Sequence, residues 1–499
     1  MSYKPDLFHV DRASPVSITR QLVDRFLGAI ERGELAPGEK LPPTRALAVD
    51  AGVNHLTAAR VYRKLAEEGY VTATVGRGTF VRALVPAAAD GRGDDWQSYV
   101  LPDRHATYQE EILSDAFRLA RQEGMISLAT GFPSPRFHPT KELAEHAAQA
   151  FAEEGEEVIA YTNPEGLLEL RRRIAEGGAK RGFAESAEEI IVTSGGQQAI
   201  DVAVRAIVEP DDVVVVESPT FVGTLAALSS TRARVIGVPV DEGGLDVGAL
   251  EKVLTRHEVK LCALQPACQN PTGADLAPAR RARLVELARE RNFFVLEDGV
   301  YADLRYEGER LPALRRDAPG HVVHVNSLSK VVGGGLRIGW IAARGPVLDR
   351  MTMLKQGTDF HTSTPIQHIA ARYLATDAYA ENIESSLPYY RERRDVLVAA
   401  LEKHLAGEVG VTTPRGGHHV WVTLNRPVEE RVFYSEAVRS GVSFTPGGAV
   451  CVDRPRQTSF RLSFSLLEPE DLEEGVRRLA RALREVRRRD RTAVAAPLS

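Results

Sequence analysis

Residues 321–340 read HVVHVNSLSKVVGGGLRIGW, and the reading of this stretch decides the fold of the larger part of the chain. It opens as an apolar strand, Val322 to Val325, and passes into Ser327-Leu328-Ser329-Lys330. A glycine run, Gly333 to Gly335, leads to Arg337-Ile338-Gly339-Trp340. A lysine at the exit of a buried strand is partly desolvated, which lowers its pKa and makes the amine a nucleophile toward carbonyls. Ser327 and Arg337 flank it with a hydroxyl donor and a fixed cation, the group types that hold a phosphate.

Working outward, strands and helices alternate from about Tyr108 to Arg488, which predicts a largely parallel α/β sheet. The expected strands are Ile190 to Val192, Val213 to Val216, Lys260 to Leu264, Phe293 to Leu296 and Val322 to Val325. Ligands of such sheets bind at the carboxyl ends of the strands. The strand exits read Thr193-Ser194-Gly195-Gly196-Gln197, Glu217-Ser218-Pro219-Thr220-Phe221, Gln265 to Gly273, Glu297-Asp298-Gly299-Val300-Tyr301, and Ser327 to Lys330. Polar, glycine-rich and reactive residues therefore gather at one edge. The turn through Gly196 opens a helix predicted over Gln198 to Val208, whose N-terminal amides favour a phosphate. Asp298 can pair with a pyridinium nitrogen. Asn270 and Tyr301 can donate to a phenolate oxygen, and Phe221 can stack on an aromatic ring.

In this order these residues resemble the fold-type-I aminotransferases over nearly the whole of the second unit. That resemblance implies pyridoxal 5'-phosphate as cofactor, held by Lys330 as an internal aldimine. Asp298 would bind the ring nitrogen, and Asn270 and Tyr301 the ring oxygen. Ser194, Gly195, Gly196, Gln197, Ser327 and Arg337 would hold the phosphate, with Phe221 covering the ring. Tyr161, in Tyr161-Thr162-Asn163-Pro164-Glu165-Gly166, resembles the tyrosine that reaches the partner subunit's phosphate. Ser459-Phe460-Arg461-Leu462-Ser463-Phe464 alternates as a strand and resembles the segment whose arginine binds the substrate carboxylate. Gly131-Phe132-Pro133-Ser134-Pro135 resembles the loop that closes over substrate. His418-His419 has no third ligand nearby and reads as structural, so no metal site is expected; Cys268 reads as a small apolar residue.

The first 82 residues read differently. Apolar positions Ile18, Leu22, Phe26 and Ile30 mark an amphipathic helix. A second helix is predicted over Thr44 to Asp50 and a third over about Leu56 to Glu68, with Asn54 as its cap. The two are separated only by Ala51-Gly52-Val53, the length of a helix-turn-helix connection. Tyr70 to Thr74 and Thr79 to Val81 form a hairpin across Val75-Gly76-Arg77-Gly78. Three helices and a hairpin make a winged helix. This segment holds 12 Lys/Arg against 9 Asp/Glu, inside a chain of formal net charge -5. Cations on the third helix and the hairpin tip suit a major groove and its phosphates.

Glu39-Lys40-Leu41-Pro42-Pro43-Thr44-Arg45, Gly52-Val53, Glu68-Gly69-Tyr70-Val71 and Gly76 to Val81 resemble the GntR-type winged helix. The resemblance implies double-stranded operator DNA as partner. Arg45, Asn54, His55, Thr57, Arg60, Gly76 and Arg77 form the expected DNA-facing set. Where that family usually carries arginine, this chain has His55.

Residues 83–107, rich in Ala, Gly, Asp and Pro, read as a flexible linker, with Trp96 and Tyr99 as exceptions. Residues 489–499 read as a disordered tail. The 499 residues are 43% hydrophobic and 26% charged, values of a globular chain with more than one domain. The three cysteines lack metal spacing, and no signal region or membrane-length apolar run is present, so a cytoplasmic protein is expected. A GntR-type winged helix joined to an aminotransferase-like unit is the plan of the MocR subfamily of bacterial regulators. That resemblance implies a head-to-tail homodimer and a regulator that senses a small amino-group effector, an amino acid above all, by exchange at Lys330. The alternative is a working aminotransferase that carries a DNA-binding module, which the catalytic residues do not exclude.

Overall fold

In the computed structural model the chain divides into two units, Met1–His105 and Ala106–Ser499. The structure describes residues 8–495 apart from 13, 15, 32–33, 36–38, 68–69, 75–77, 82–107, 454 and 456. The expected linker, Gly76 and Arg77 therefore lie outside the described residues.

The first unit contains helices Ile18–Glu31, Thr44–Asp50 and His55–Glu67, then the hairpin strands Val71–Thr74 and Gly78–Val81. Its core is small and continuous: Leu22, Phe26, Leu47, Ala58, Val61, Leu65 and Val81 are all buried. Phe26 packs edge-on against Tyr62, whose hydroxyl donates to Pro42 O at 2.7 Å and so ties the third helix to the loop before the second. The third helix starts at His55 because Asn54 Oδ1 accepts from Thr57 N–H at 2.7 Å.

The second unit is built on an eight-stranded sheet. Named by first residue, the strands lie in the order Ile190, Gly339, Val322, Phe294, Val259, Val213, Arg234, Gly244. Pairing is parallel from Val322 through Arg234, and Gly339–Ala342 runs antiparallel to both its neighbours. The strands Ile190–Thr193 and Val322–Ser327 are buried at every position, which suits their largely apolar character. Gly339 has a specific role at this crowded point. A Cβ there would lie 2.6 Å from Gly195 C and 2.8 Å from Gly196 N, so only glycine lets this strand approach the turn beside it.

A second, four-stranded antiparallel sheet joins Val409–Val411, His419–Leu424, Ser459–Ser463 and Thr445–Pro446. Beside it, Ile126–Ser127 pairs in parallel with Val442–Ser443. Leu128 continues that edge, donating to Ser443 O and accepting from Ser463 N. The chain from Ala129 to Phe132 is thereby laid against the small sheet.

The long C-terminal helix, Pro469–Ala495, corrects the expectation of disorder from residue 489. Leu472, Val476, Leu479, Leu483 and Val486 recur at helical spacing and are buried. Arg488 and Arg489 continue the helix through ion pairs to Glu485 one turn back, and Arg489 also reaches Glu436 at 3.0 Å. Residues 496–499 lie outside the described residues. No helix among the described residues is long and apolar enough to cross a membrane.

Candidate functional site

The strand Val322–Ser327 ends in one turn of 3-10 helix, Leu328–Lys330, capped by Ser327 Oγ accepting from Ser329 N–H. That turn aims Lys330 back over the sheet edge. Its Nζ donates to Gly131 O at 2.9 Å and stands 5.6 Å from the ring centre of Tyr301 and 5.8 Å from that of Phe132. Burial, aided by the positive charge of Arg461 and opposed by Asp298, lowers its pKa to about 8.

Asp298 closes the neighbouring strand, Phe294–Asp298, and is buried. One carboxylate oxygen accepts from Gln265 Nε2 at 2.6 Å and the other from Val300 N–H at 3.1 Å. Burial still holds its pKa above the ordinary carboxylate value. Gln265 in turn accepts from Asn270 N–H at 2.7 Å, fixing the loop that presents Asn270.

Asn270 Oδ1 accepts from Arg461 Nη1 at 2.9 Å. Arg461 lies in the middle of Ser459–Ser463, with Nη2 on Thr445 Oγ1 at 3.0 Å and on Ala129 O. Its Nε has no partner, and no carboxylate lies within ion-pair distance among the described residues. Burial pushes this guanidinium down to about 10. A buried cation held by neutral oxygens alone leaves its charge unmatched, an arrangement that favours an anionic ligand.

A cup forms where the strand Ile190–Thr193 turns into the helix Gly196–Ile207. Gly195 sits at φ +93°, and a Cβ on it would lie 2.4 Å from Arg337 Nη2. Arg337 is held there by Ser194 O at 2.8 Å and Gly334 O at 3.2 Å. A Cβ on Gly196 would meet Ser327 Oγ at 3.6 Å. Helix amides, a hydroxyl and a guanidinium thus converge on one space. Gln197 and Phe221 adjoin it, both close around Gly223, where Gln197 Nε2 donates to the carbonyl at 2.8 Å. Asp359 Oδ2 accepts from Ser194 Oγ and Gln198 Nε2 at the rim, and its charge is matched by Lys355.

Two residues that the sequence reading set aside belong to this site. His418 and His419 read there as structural, but both are buried beside Tyr301 and Gly131. His419 Nε2 bonds Tyr301 OH at 2.9 Å, and its Nδ1 bonds the cross-strand partner Ser463 Oγ at 2.9 Å. His418 Nδ1 faces Gly131 O at 3.4 Å. Burial and the nearby cations keep both imidazoles neutral, His418 at about 3 and His419 well below its ordinary value. The signal available was their place on an alternating strand opposite Ser463, which becomes visible only once the register is known.

The imidazole also explains Gly131. A Cβ at this position would lie 2.1 Å from His419 Cε1, against a ring pinned at both nitrogens. Gly131→Ala should cost roughly 1–3 kcal/mol of stability through overpacking. The check is chemical denaturation of the single variant and of Gly131→Ala with His419→Ala, in which the loss should be largely recovered.

Tyr161 is not drawn into the site of its own chain. It is 88% exposed and meets His361 edge-on, at 5.5 Å. In the first unit, Arg45, Asn54, His55 and Arg60 are exposed on or beside the second and third helices, and Thr57 is half-buried. Among the described residues no cluster suited to a metal ion occurs.

The pattern of the family described as "Aminotransferase class I and II" matches residues 123–479, and that described as "Bacterial regulatory proteins, gntR family" matches residues 18–81. The chain is 32% identical to aromatic-amino-acid aminotransferase 1 of Thermococcus litoralis, over 78% of this chain and 95% of that protein. It is 27% identical to the "Probable rhizopine catabolism regulatory protein MocR" of Rhizobium meliloti, over 95% of both. Among solved structures it is similar to LysN, the alpha-aminoadipate aminotransferase of Thermus thermophilus crystallised with N-(5'-phosphopyridoxyl)-L-leucine. The TM-score is 0.70 at 32% identity, covering 77% of this chain and 100% of that one. A fold-type-I aminotransferase unit preceded by a DNA-binding gntR winged helix, matched over 95% of both lengths by a protein named as a MocR regulator, places this chain in the aminotransferase class I and II family and in the MocR subfamily of gntR-type transcriptional regulators.

Proposed function

We propose that this protein is a pyridoxal-phosphate-dependent transcriptional regulator whose aminotransferase unit binds an amino acid at Lys330 and alters the DNA affinity of the winged helix. The observation that carries the reading is the unmatched buried Arg461 in the same shell as Lys330, Asp298 and Tyr301. It gives a carboxylate and an amine two receptors in one pocket.

The residues fit the cofactor. Lys330 offers an amine near its neutral range, and Asp298 a buried carboxyl whose raised pKa a cationic ring nitrogen would bring back down. The cup of Gly195, Gly196, Ser327 and Arg337 suits its phosphate, with Ser194 and Gln197 at the rim. Asn270 and Tyr301 would orient the ring oxygen, Phe221 would face the ring, and Tyr161 would reach the phosphate of a partner subunit in a head-to-tail homodimer. That Tyr161 is 88% exposed on its own chain supports that last assignment. When bound, the cofactor supplies an electrophilic carbon for amines and a ring that withdraws electrons. Arg461 would clamp the ligand carboxylate, and His419 would hold the Tyr301 hydroxyl in place.

Binding at Lys330 changes transcription only if the ligand prefers one of two states of the protein. An amino-acid panel is therefore titrated while operator affinity, at fixed salt, and the cofactor's visible band are followed together. An effective ligand should shift operator affinity by a coupling of roughly 1–3 kcal/mol, and keto acids should be released slowly or not at all. The complete catalytic set of Lys330, Asp298 and Tyr301 favours a second reading, a turning-over aminotransferase. Rapid transamination without any ligand effect on DNA would establish it in place of the first.

A further inference from the structure

On the far side of the strands that carry Asp298 and Ser327 lies a second cavity, of about 410 Å³, in whose wall stand Lys180, Arg281, Glu297, Arg310, His324 and Asn326. Two of its buried groups are incompletely used. His324 is 3% exposed, stacks on Phe183 at 4.5 Å and faces Glu297 Oε2 through Nδ1 at 3.1 Å, while its Nε2 has no partner. Arg281 is 9% exposed, donates Nη2 to Pro312 O, and has no carboxylate within ion-pair distance among the described residues. Lys180 and Arg310 add two exposed cations without ion pairs among the described residues.

The acids of this wall do not answer them: Asp303 is paired with Arg181 at 3.0 Å and accepts from Tyr379 OH at 2.9 Å. Glu297 also accepts from Leu314 N–H at 2.8 Å and Arg315 N–H at 3.3 Å, so its oxygens are spent within the wall. Against the upward push of burial, the hydrogen bond and charge of His324 hold its carboxyl below the ordinary value. A carboxylate at Nδ1 fixes the proton there and leaves Nε2 for a ligand, as acceptor in the neutral ring and as donor in the charged one. Gly299 keeps that nitrogen clear: a Cβ there would lie 2.5 Å from His324 Cε1 and 3.0 Å from Nε2.

We infer that this cavity is a second ligand site, distinct from the Lys330 site, for a small polyanion carrying phosphate or carboxylate groups. Arg281 and His324 would bind from the buried end, and Lys180 and Arg310 from the mouth. Arg281, a buried cation with no ion-pair partner among the described residues, is costly to hold, and an anionic ligand supplies that partner. The site is wired to the first through backbone. Gly299 N–H donates to Val325 O at 2.9 Å immediately after Asp298, and Asn326 Oδ1 accepts from Ser327 N–H at 2.7 Å. A ligand that tightens on His324 and Asn326 therefore acts on the strand that leads to Lys330.

The test uses the full chain loaded with cofactor, so that the phosphate cup is filled. Pyrophosphate and citrate are titrated separately by calorimetry against wild type, Arg281→Gln and the double variant Lys180→Ala with Arg310→Ala. Saturable binding is expected for at least one anion, weakened about tenfold or more in each variant, with the visible band unchanged and, in the double variant, the unligated melting temperature unchanged. Pyrophosphate alone would assign a phosphorylated ligand, and citrate alone a polycarboxylate. The double variant changes only exposed side chains, so it remains informative if Arg281→Gln does not fold. Binding equal to wild type in the folded variants, or no saturable binding of either anion, overturns the inference.

Discussion

Lys330→Ala is expected to abolish the visible absorption band of the cofactor-loaded protein while its circular dichroism stays that of the native chain. The amine is the nucleophilic side chain brought to the sheet edge beside Asp298, and its removal leaves the cofactor held by non-covalent contacts alone. The substitution creates little strain, because Nζ makes one hydrogen bond, to Gly131 O. Borohydride should then fix the cofactor to wild type and fail to fix it to the variant; fixation in the variant would remove Lys330 from its assigned role. A pH dependence follows from the lowered amine. With a pKa of about 8 rather than 10.5, the neutral form is the minor species below pH 8 and the major one above it. The rate of cofactor loading should therefore rise about tenfold per pH unit up to roughly pH 8 and level off there. A rate still climbing beyond pH 10 would mean an amine that the fold does not desolvate.

The second large effect belongs to Arg461. Arg461→Ala should weaken amino acids by roughly 2–5 kcal/mol, the range for removing one partner of a buried charged pair, and change simple amines little. Two consequences combine in the alanine variant. The ligand carboxylate loses its cation, and Asn270 Oδ1, Thr445 Oγ1 and Ala129 O lose the donor that all three share. Arg461→Lys keeps a charge but cannot span the same oxygens, because an ammonium lacks the planar fork of a guanidinium. It should recover only part of the loss. Spectral titrations with matched pairs, an amino acid and its decarboxylated amine, give the measurement. Equal weakening of both members of each pair would show that Arg461 supports the pocket wall and does not read the carboxylate.

What the sequence by itself determined is local chemistry and its order along the chain. Five strands declared themselves by largely apolar runs, and each exit carried polar groups, so Lys330, Asp298, Asn270 and the Ser194–Gln197 turn could be placed at one edge before any coordinates. The winged helix was equally legible, because amphipathic spacing, the Asn54 cap and a short interhelical turn are all nearest-neighbour properties. The strands Arg234–Asp241, Gly339–Ala342 and His419–Leu424 were not read. The first lies near the sheet edge and is largely half-exposed, and glycine opens the second, so neither shows a clean buried-strand signal.

The tertiary structure alone decided the relations between segments distant in the chain. Tyr301, His419 and Ser463 form a hydrogen-bonded row because strand register sets His419 opposite Ser463, more than forty residues away. Gly131 is marked in the sequence only as part of a loop, and the reason it must be glycine appears once the imidazole that occupies its Cβ space is seen. The charge of Arg461 is ordinary in sequence and exceptional in place, since only burial makes the lack of a carboxylate partner costly. Periodicity and residue type report what each residue is; pairing, burial and unmatched charge depend on which residues the fold makes neighbours, and no local pattern contains that.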